Sequence, residues 1–219
     1  MYLSRVEIDT NNRRSMRDLE HLGCYHGWIE DAFPEERVKP KEARTRKLWR
    51  IDNIDGKYYL LLLSEAKPDL TMLEQYGVKH SAMTKEYGPF LDSLTEGMRA
   101  NFRIKLNTVK SYSDREKYPK RGHVAPVSLD ELIPFFMERA EKNGFSVSVD
   151  EIGVMKRDTE RWEHKGENDG KRTKLHLISA TYEGILTITD LDKFKAALKY
   201  GIGKKKAYGF GLLTIIPIP

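Results

Sequence analysis

Near its end the chain reads Gly201-Ile-Gly-Lys-Lys-Lys-Ala-Tyr-Gly-Phe-Gly211. Gly201 and Gly203 leave the backbone bare, so N–H groups can approach a polyanion, and Lys204, Lys205 and Lys206 place positive charge beside them. Such a segment suits phosphate. No Gly-Lys-Ser/Thr closes it before a helix, and Lys206 stands where a dinucleotide fingerprint needs its third glycine, so neither nucleotide loop is present. The alternative is a helix C-cap leading into a tight turn with solvated lysines. At the other end, Gly23-Cys-Tyr-His-Gly27 brings Tyr25 and His26 together. An imidazole titrates near pH ~6.5 and can both take and give a proton, so His26 is a candidate acid or base, with a purely structural histidine as the alternative. A third basic group flanks a long polar excursion. Lys156 and Arg157 stand on one stem, and Lys171 and Arg172 on the other, facing them in a hairpin that could follow a phosphate backbone.

These groups need elements to hold them. Residues 2–8 alternate as a half-buried strand, and residues 15–33 carry helical spacing with a weak point at Gly23. Strands are expected at 47–51 and 58–64 around the turn Asn53-Ile-Asp-Gly56, followed by a short helix at 69–76. The second half repeats the rhythm. A strand at 98–109 precedes a helix at 128–143, with Ser128 and Glu131 as a capping box. Strands follow at 145–149 and 151–156, then a hairpin turning at Tyr182-Glu-Gly, a helix at 190–200 and a last strand at 210–216. The expectation is an α+β protein of two tandem ferredoxin-like (βαββαβ) domains: residues 1–90 carrying His26, and residues 97–219 carrying the glycine loop and the basic hairpin.

Composition narrows the partners. Of 219 residues, 32% are charged, and the net charge of +5 favours an anionic partner, most simply nucleic acid. One cysteine, Cys24, excludes an internal disulfide framework and a cysteine-based metal cluster, and none of the six histidines forms a His-x-x-x-His pair, so no metal and no cofactor is expected. No signal pattern opens the chain, and its longest apolar run, 60–63, is too short to span a bilayer; a cytoplasmic protein is expected.

Met1-Tyr-Leu-Ser-Arg-Val, Arg17-Asp-Leu, Tyr25-His26 before Phe33-Pro34, and the glycine loop through Leu213 resemble the CasE (Cse-type) CRISPR RNA-processing endoribonucleases of type I-E systems. The resemblance implies binding of a CRISPR repeat hairpin, metal-independent cleavage of one phosphodiester at its base, and assembly with other subunits of a surveillance complex. It maps the family's catalytic histidine onto His26. The family's tyrosine position holds Gly23, and Tyr25, the nearest tyrosine, is the second candidate catalytic residue. The often basic position after the histidine holds Gly27. Without a metal, the RNA's own 2′-OH is the expected nucleophile. A non-catalytic RNA-binding subunit is the alternative.

Overall fold

The computed structural model describes residues 1–112, 123–165 and 172–219. Lys171, one of the expected RNA-binding residues, lies outside them. The chain folds as two compact units, Met1–Thr95 with Lys195–Leu212, and Glu96–Phe194 with Leu213–Pro219. This differs from the expected division in one segment: residues 195–212, which carry the glycine loop, belong with the first unit.

Unit 1 runs β1 (Tyr2–Glu7), α1 (Arg13–Asp18), α2 (Leu22–Asp31), α3 (Pro34–Arg37), β2 (Leu48–Ile54), β3 (Lys57–Ser64), α4 (Leu70–Leu73), β4 (Met83–Glu86) and α5 (Gly88–Asp92). The sheet order is β2-β3-β1-β4, with every neighbour antiparallel. That is the ferredoxin-like order. β4 was not legible in the sequence, because Met83-Thr-Lys-Glu86 has no apolar alternation. It is a mostly exposed edge strand, tied to β1 by its ladder and by the Ser4 hydroxyl donating to Thr84 Oγ1 at 2.8 Å. The expected helix 15–33 is two helices, and the break falls at 19–21 rather than at Gly23. His21 causes it: its extended backbone ends the run, and its Nδ1 accepts from the Gly23 N–H at 3.1 Å, capping α2.

The loop after α2 is held by a buried charge cluster. Lys47 Nζ stands 2.8 Å from Glu36 Oε2 and 3.3 Å from Glu30 Oε1. The Thr45 hydroxyl donates to Glu36 Oε1 at 2.6 Å. Burial pushes the Glu36 carboxyl up, but hydrogen bonds from Lys47 and Thr45 and the lysine charge outweigh it and hold the group below its ordinary 4.5. A lowered carboxyl stabilises the fold above its ordinary pKa, and that contribution is lost as pH falls through the lower folded-state value. Glu36→Gln is therefore expected to cost about 1–3 kcal/mol at neutral pH and to flatten the acid limb of stability. Urea midpoints measured from neutral pH down to about pH 3 check this, and an acid limb as steep as the parent's would contradict it.

Unit 2 runs β5 (Arg99–Asn107), β6 (Val109–Tyr112), β7 (His123–Pro126), α6 (Leu132–Lys142), β8 (Phe145–Lys165), β9 (Arg172–Ile188), α7 (Leu191–Tyr200) and β10 (Thr214–Pro217); α7 passes into unit 1 after Phe194. Its sheet order, β10-β5-β9-β8, repeats the ferredoxin-like pattern, with β6 and β7 as an added hairpin. Its core is aromatic. Phe136 stacks with Phe102 at 5.3 Å and with Tyr182 at 4.7 Å, and Phe145 meets Phe194 edge-on at 5.6 Å.

Three expectations change here. Tyr182-Glu-Gly is no turn: Tyr182 is fully buried and β9 runs on through it, because β5 and β8 pair with it on either side. The two strands expected at 145–156 are parts of β8, with irregular register between Val147 and Ile152 and between Val154 and Lys156. α6 starts at Leu132, not at Ser128; the Ser128 hydroxyl donates to the Glu131 carboxylate at 3.0 Å instead of capping backbone N–H groups. Among the described residues, no helix is long and apolar enough to cross a membrane.

Candidate active site

His26 lies mid-way along α2, half-buried. The weak point expected at Gly23 does not interrupt this segment, because Gly23 and Gly27 are both helical. The helix is fixed on one side by Trp28 and Ile29, which are fully buried; the Trp28 Nε1–H donates to Met72 O at 3.3 Å, and its ring meets Tyr76 edge-on at 5.5 Å. His21 is spent on capping; with Nδ1 accepting, a neutral ring carries its proton on Nε2, 3.4 Å from Cys24 Sγ. Tyr25, adjacent to His26, stacks on Trp49 of β2 with ring centroids 5.9 Å apart and planes 21° off parallel.

The glycine loop meets the same surfaces. β2 is an edge strand, and the loop grips it from both faces. Gly201 ends α7 at φ +72, its N–H donating to Ala197 O at 2.8 Å. A Cβ there would stand 2.8 Å from both Gly211 O and a Leu48 methyl. On the other face of β2 the Trp49 Nε1–H donates to Ala207 O at 3.1 Å. Gly209, at φ +80, lies flat against that indole, where a Cβ would come within 2.8 Å of the ring. Arg50, fully buried, donates from Nε and Nη2 to the two Asp52 carboxylate oxygens at 2.7 and 2.8 Å, and from Nη1 to Leu212 O at 2.7 Å. The short helical turn 206–208 lies against both α2 and β2.

This geometry redistributes the roles expected of the loop. The N–H groups of Gly201, Ile202, Tyr208 and Gly209 donate to backbone carbonyls. Lys206 points its ammonium at Tyr200 O and Gly201 O, 2.7 Å from each, and so caps the C-terminus of α7. Burial, then the charge of Arg46, lower its pKa. Gly203, Lys204 and Lys205 are exposed, and Lys205 takes the left-handed conformation at φ +62.

The basic hairpin is arranged differently from the expectation. Lys156 pairs with Thr181 and Arg157 with Ala180, whereas Arg172 pairs with Lys165. Lys156 and Arg157 do not face Arg172; they lie about 25–30 Å from it along the ladder, because β8 and β9 stay paired from there up to Lys165 and Arg172. Arg157 Nη2 donates to Val127 O at 2.9 Å. Lys156 stands 2.9 Å from Asp158, which Lys105 meets at 3.1 Å. Burial raises the Asp158 carboxyl, and these two lysines more than offset it and leave the group below its ordinary value.

Sequence reasoning missed Arg46, Trp49 and Arg50. Leu48 to Arg50 read only as strand residues, and nothing local announces that a segment some 160 residues later closes over them. Among the described residues no three His, Cys, Asp or Glu side chains gather as a metal-binding group.

Residues 1–217 match the family described as CRISPR associated protein. CRISPR-associated endoribonuclease Cse3 of Thermus thermophilus is 28% identical over 225 residues, spanning 99% of this chain and 100% of the relative. CRISPR system Cascade subunit CasE of Escherichia coli is 28% identical over 226 residues, spanning all of both chains. A solved structure of CRISPR endoribonuclease Cse3 bound to 19 nt RNA aligns with a TM-score of 0.79 at 22% identity, covering 99% of this chain and 100% of that one. With nearly its whole length matched and the two ferredoxin-like sheets in place, the chain belongs to the CRISPR associated protein family.

Proposed function

We propose that this protein is an endoribonuclease that binds the hairpin of a CRISPR repeat in precursor RNA and cuts one phosphodiester beside it, with the RNA's 2′-OH as nucleophile. The observation that carries the reading is the joining of His26's helix to the cationic loop through Tyr25, Trp49 and Ala207, within one unit. Both full-length relatives named above carry names from CRISPR RNA systems, and the first is named an endoribonuclease.

In this mechanism the 2′-oxygen attacks phosphorus in line with the departing 5′-oxygen. The new P–O bond closes a 2′,3′-cyclic phosphate, and the P–O5′ bond breaks to leave a 5′-hydroxyl. Two proton movements are required, one off the 2′-OH and one onto the 5′-oxygen, and His26 serves one of them. Negative charge accumulates on the non-bridging oxygens, and the exposed Lys204 and Lys205 oppose it, together with Arg46, whose charge is felt at Lys206. Lys206 and Gly201 shape the loop, and the exposed Gly203 belongs to its RNA-binding surface. Tyr25, whose ring stacks on Trp49, stands next to His26 as the second candidate catalytic residue. Lys156, Arg157, Lys171 and Arg172 belong to the RNA-binding surface, with Arg157 also held to Val127. The remaining partners are other subunits of a surveillance complex, in keeping with the relative named a Cascade subunit.

The test is a repeat hairpin carrying a single 2′-deoxyribose just upstream of the cut, incubated with excess protein in EDTA. All-ribose RNA should be cleaved to a cyclic phosphate and a 5′-hydroxyl, and the deoxy substrate should bind equally but stay intact. Cleavage of the deoxy substrate would refute the 2′-OH route. Tight binding with no cleavage of either RNA would favour the non-catalytic subunit.

A further inference from the structure

We propose that Trp49 is a positioning residue that sets the spacing between the His26 helix and the cationic loop. The inference rests on the functional reading above. Trp49 is 1% exposed and pinned in register opposite Leu62 in the β2–β3 ladder. Each part of its indole has a different partner. One is Tyr25, the neighbour of His26, stacked at 5.9 Å. The Nε1–H reaches Ala207 O at 3.1 Å, in the turn that follows Lys204 to Lys206. Gly209 lies against the ring, with no room for a methyl group. A residue serving only as core would bury area, and a phenylalanine does that nearly as well. The N–H directed at the carbonyl of an exposed alanine is different, because it fixes where a surface loop sits relative to a strand. Phenylalanine lacks the donor.

Catalysis by orientation is steep in distance, and a displacement of about 1 Å can cost about 100-fold. The imidazole and the lysines reach the same scissile group from two different segments, so their separation has to be held by something between them. Trp49 touches the segment that carries each.

The experiment replaces Trp49 by benzothienylalanine, which keeps the shape and the stack but has sulfur in place of N–H. Trp49→Phe serves as the simpler variant, and Gly209→Ala pushes on the loop with the indole donor intact. Single-turnover cleavage at saturating protein, affinity for 2′-deoxy-blocked RNA, and the pH–rate profile are measured for each. The expected result is cleavage slower by about tenfold or more, affinity within about twofold of the parent, and an unmoved pH midpoint. Full-speed cleavage by the benzothienylalanine protein would overturn the proposal, as would equal losses of rate and affinity. His26→Ala run beside them separates the two levels. Undiminished cleavage by that variant defeats the functional reading itself, whereas an inactive His26→Ala with a full-speed Trp49 isostere defeats only the positioning role.

Discussion

His26→Ala is expected to slow single-turnover cleavage of the repeat hairpin by about 100- to 10,000-fold and to leave the Kd for uncleaved RNA unchanged. The separation follows from the site. A half-buried imidazole in mid-helix offers a proton acceptor or donor, while the charge that attracts the backbone sits on other residues. His26→Gln, which keeps much of the side-chain volume, should be as slow as alanine, since the lost function is protonic. Replacing Lys204 and Lys205 together by alanine should act on both axes: slower cleavage, because the developing phosphoryl charge loses its counter-charge, and weaker binding with a slope of log affinity against log salt shallower by about 0.7–0.9 for each phosphate no longer neutralised. A His26→Ala protein that cleaves normally, or one that loses affinity in step with rate, would remove the histidine from the reaction.

Arg50→Ala is expected to produce the largest loss of stability. The guanidinium is buried against Asp52 with two short hydrogen bonds and spends a third on Leu212 O. Removing it takes two hydrogen bonds and a counter-charge from the buried Asp52 carboxylate and one hydrogen bond from the Leu212 carbonyl. Breaking a buried pair from one side costs about 3–5 kcal/mol, which for a unit of this size lowers Tm by more than about 10 °C. Changing both partners, Arg50→Met with Asp52→Leu, should recover much of the loss, because a desolvated ion pair is often no more stabilising than well-packed apolar side chains. The double variant still lacks the bond to Leu212. Its loop should exchange amide hydrogens faster over 203–212 even where global stability returns. Thermal melts together with hydrogen exchange decide the matter: a stability loss below about 1 kcal/mol for Arg50→Ala would show that the pair is not desolvated as its burial indicates.

The wild-type arrangement also shows how much could be read along the chain. Strands 2–8, 58–64 and 98–109 were legible because apolar and polar residues alternate or run continuously there, and α6 and α7 because their apolar stripes recur at helical spacing. β4 was not, since an exposed edge strand carries no apolar period. The break between α1 and α2 escaped because a histidine, an unusual cap, makes it, while the nearby Gly23 carries the stronger local signal. The Tyr182 turn failed for the opposite reason: Gly184 follows a tyrosine that two neighbouring strands hold in the core, and pairing on both sides overrides a local turn signal.

Sequence alone determined the chemistry available to this protein. An imidazole, a lysine-rich glycine segment and a basic hairpin are composition and order, present before any folding. It also determined most of the tandem βαββαβ pattern, β4 excepted, because hydrophobic period is a local property. Tertiary structure alone decided which of these groups act together and which are structural. It turned Lys206 inward onto the end of α7, separated Lys156 and Arg157 from Arg172 along a ladder, and brought the glycine loop onto β2 beside the helix of His26. The reason is physical: an edge strand with an indole on one face and a buried arginine on the other has donors that a distant backbone meets, and the bonds between residues 49–50 and 207–212 leave no periodic trace in either segment.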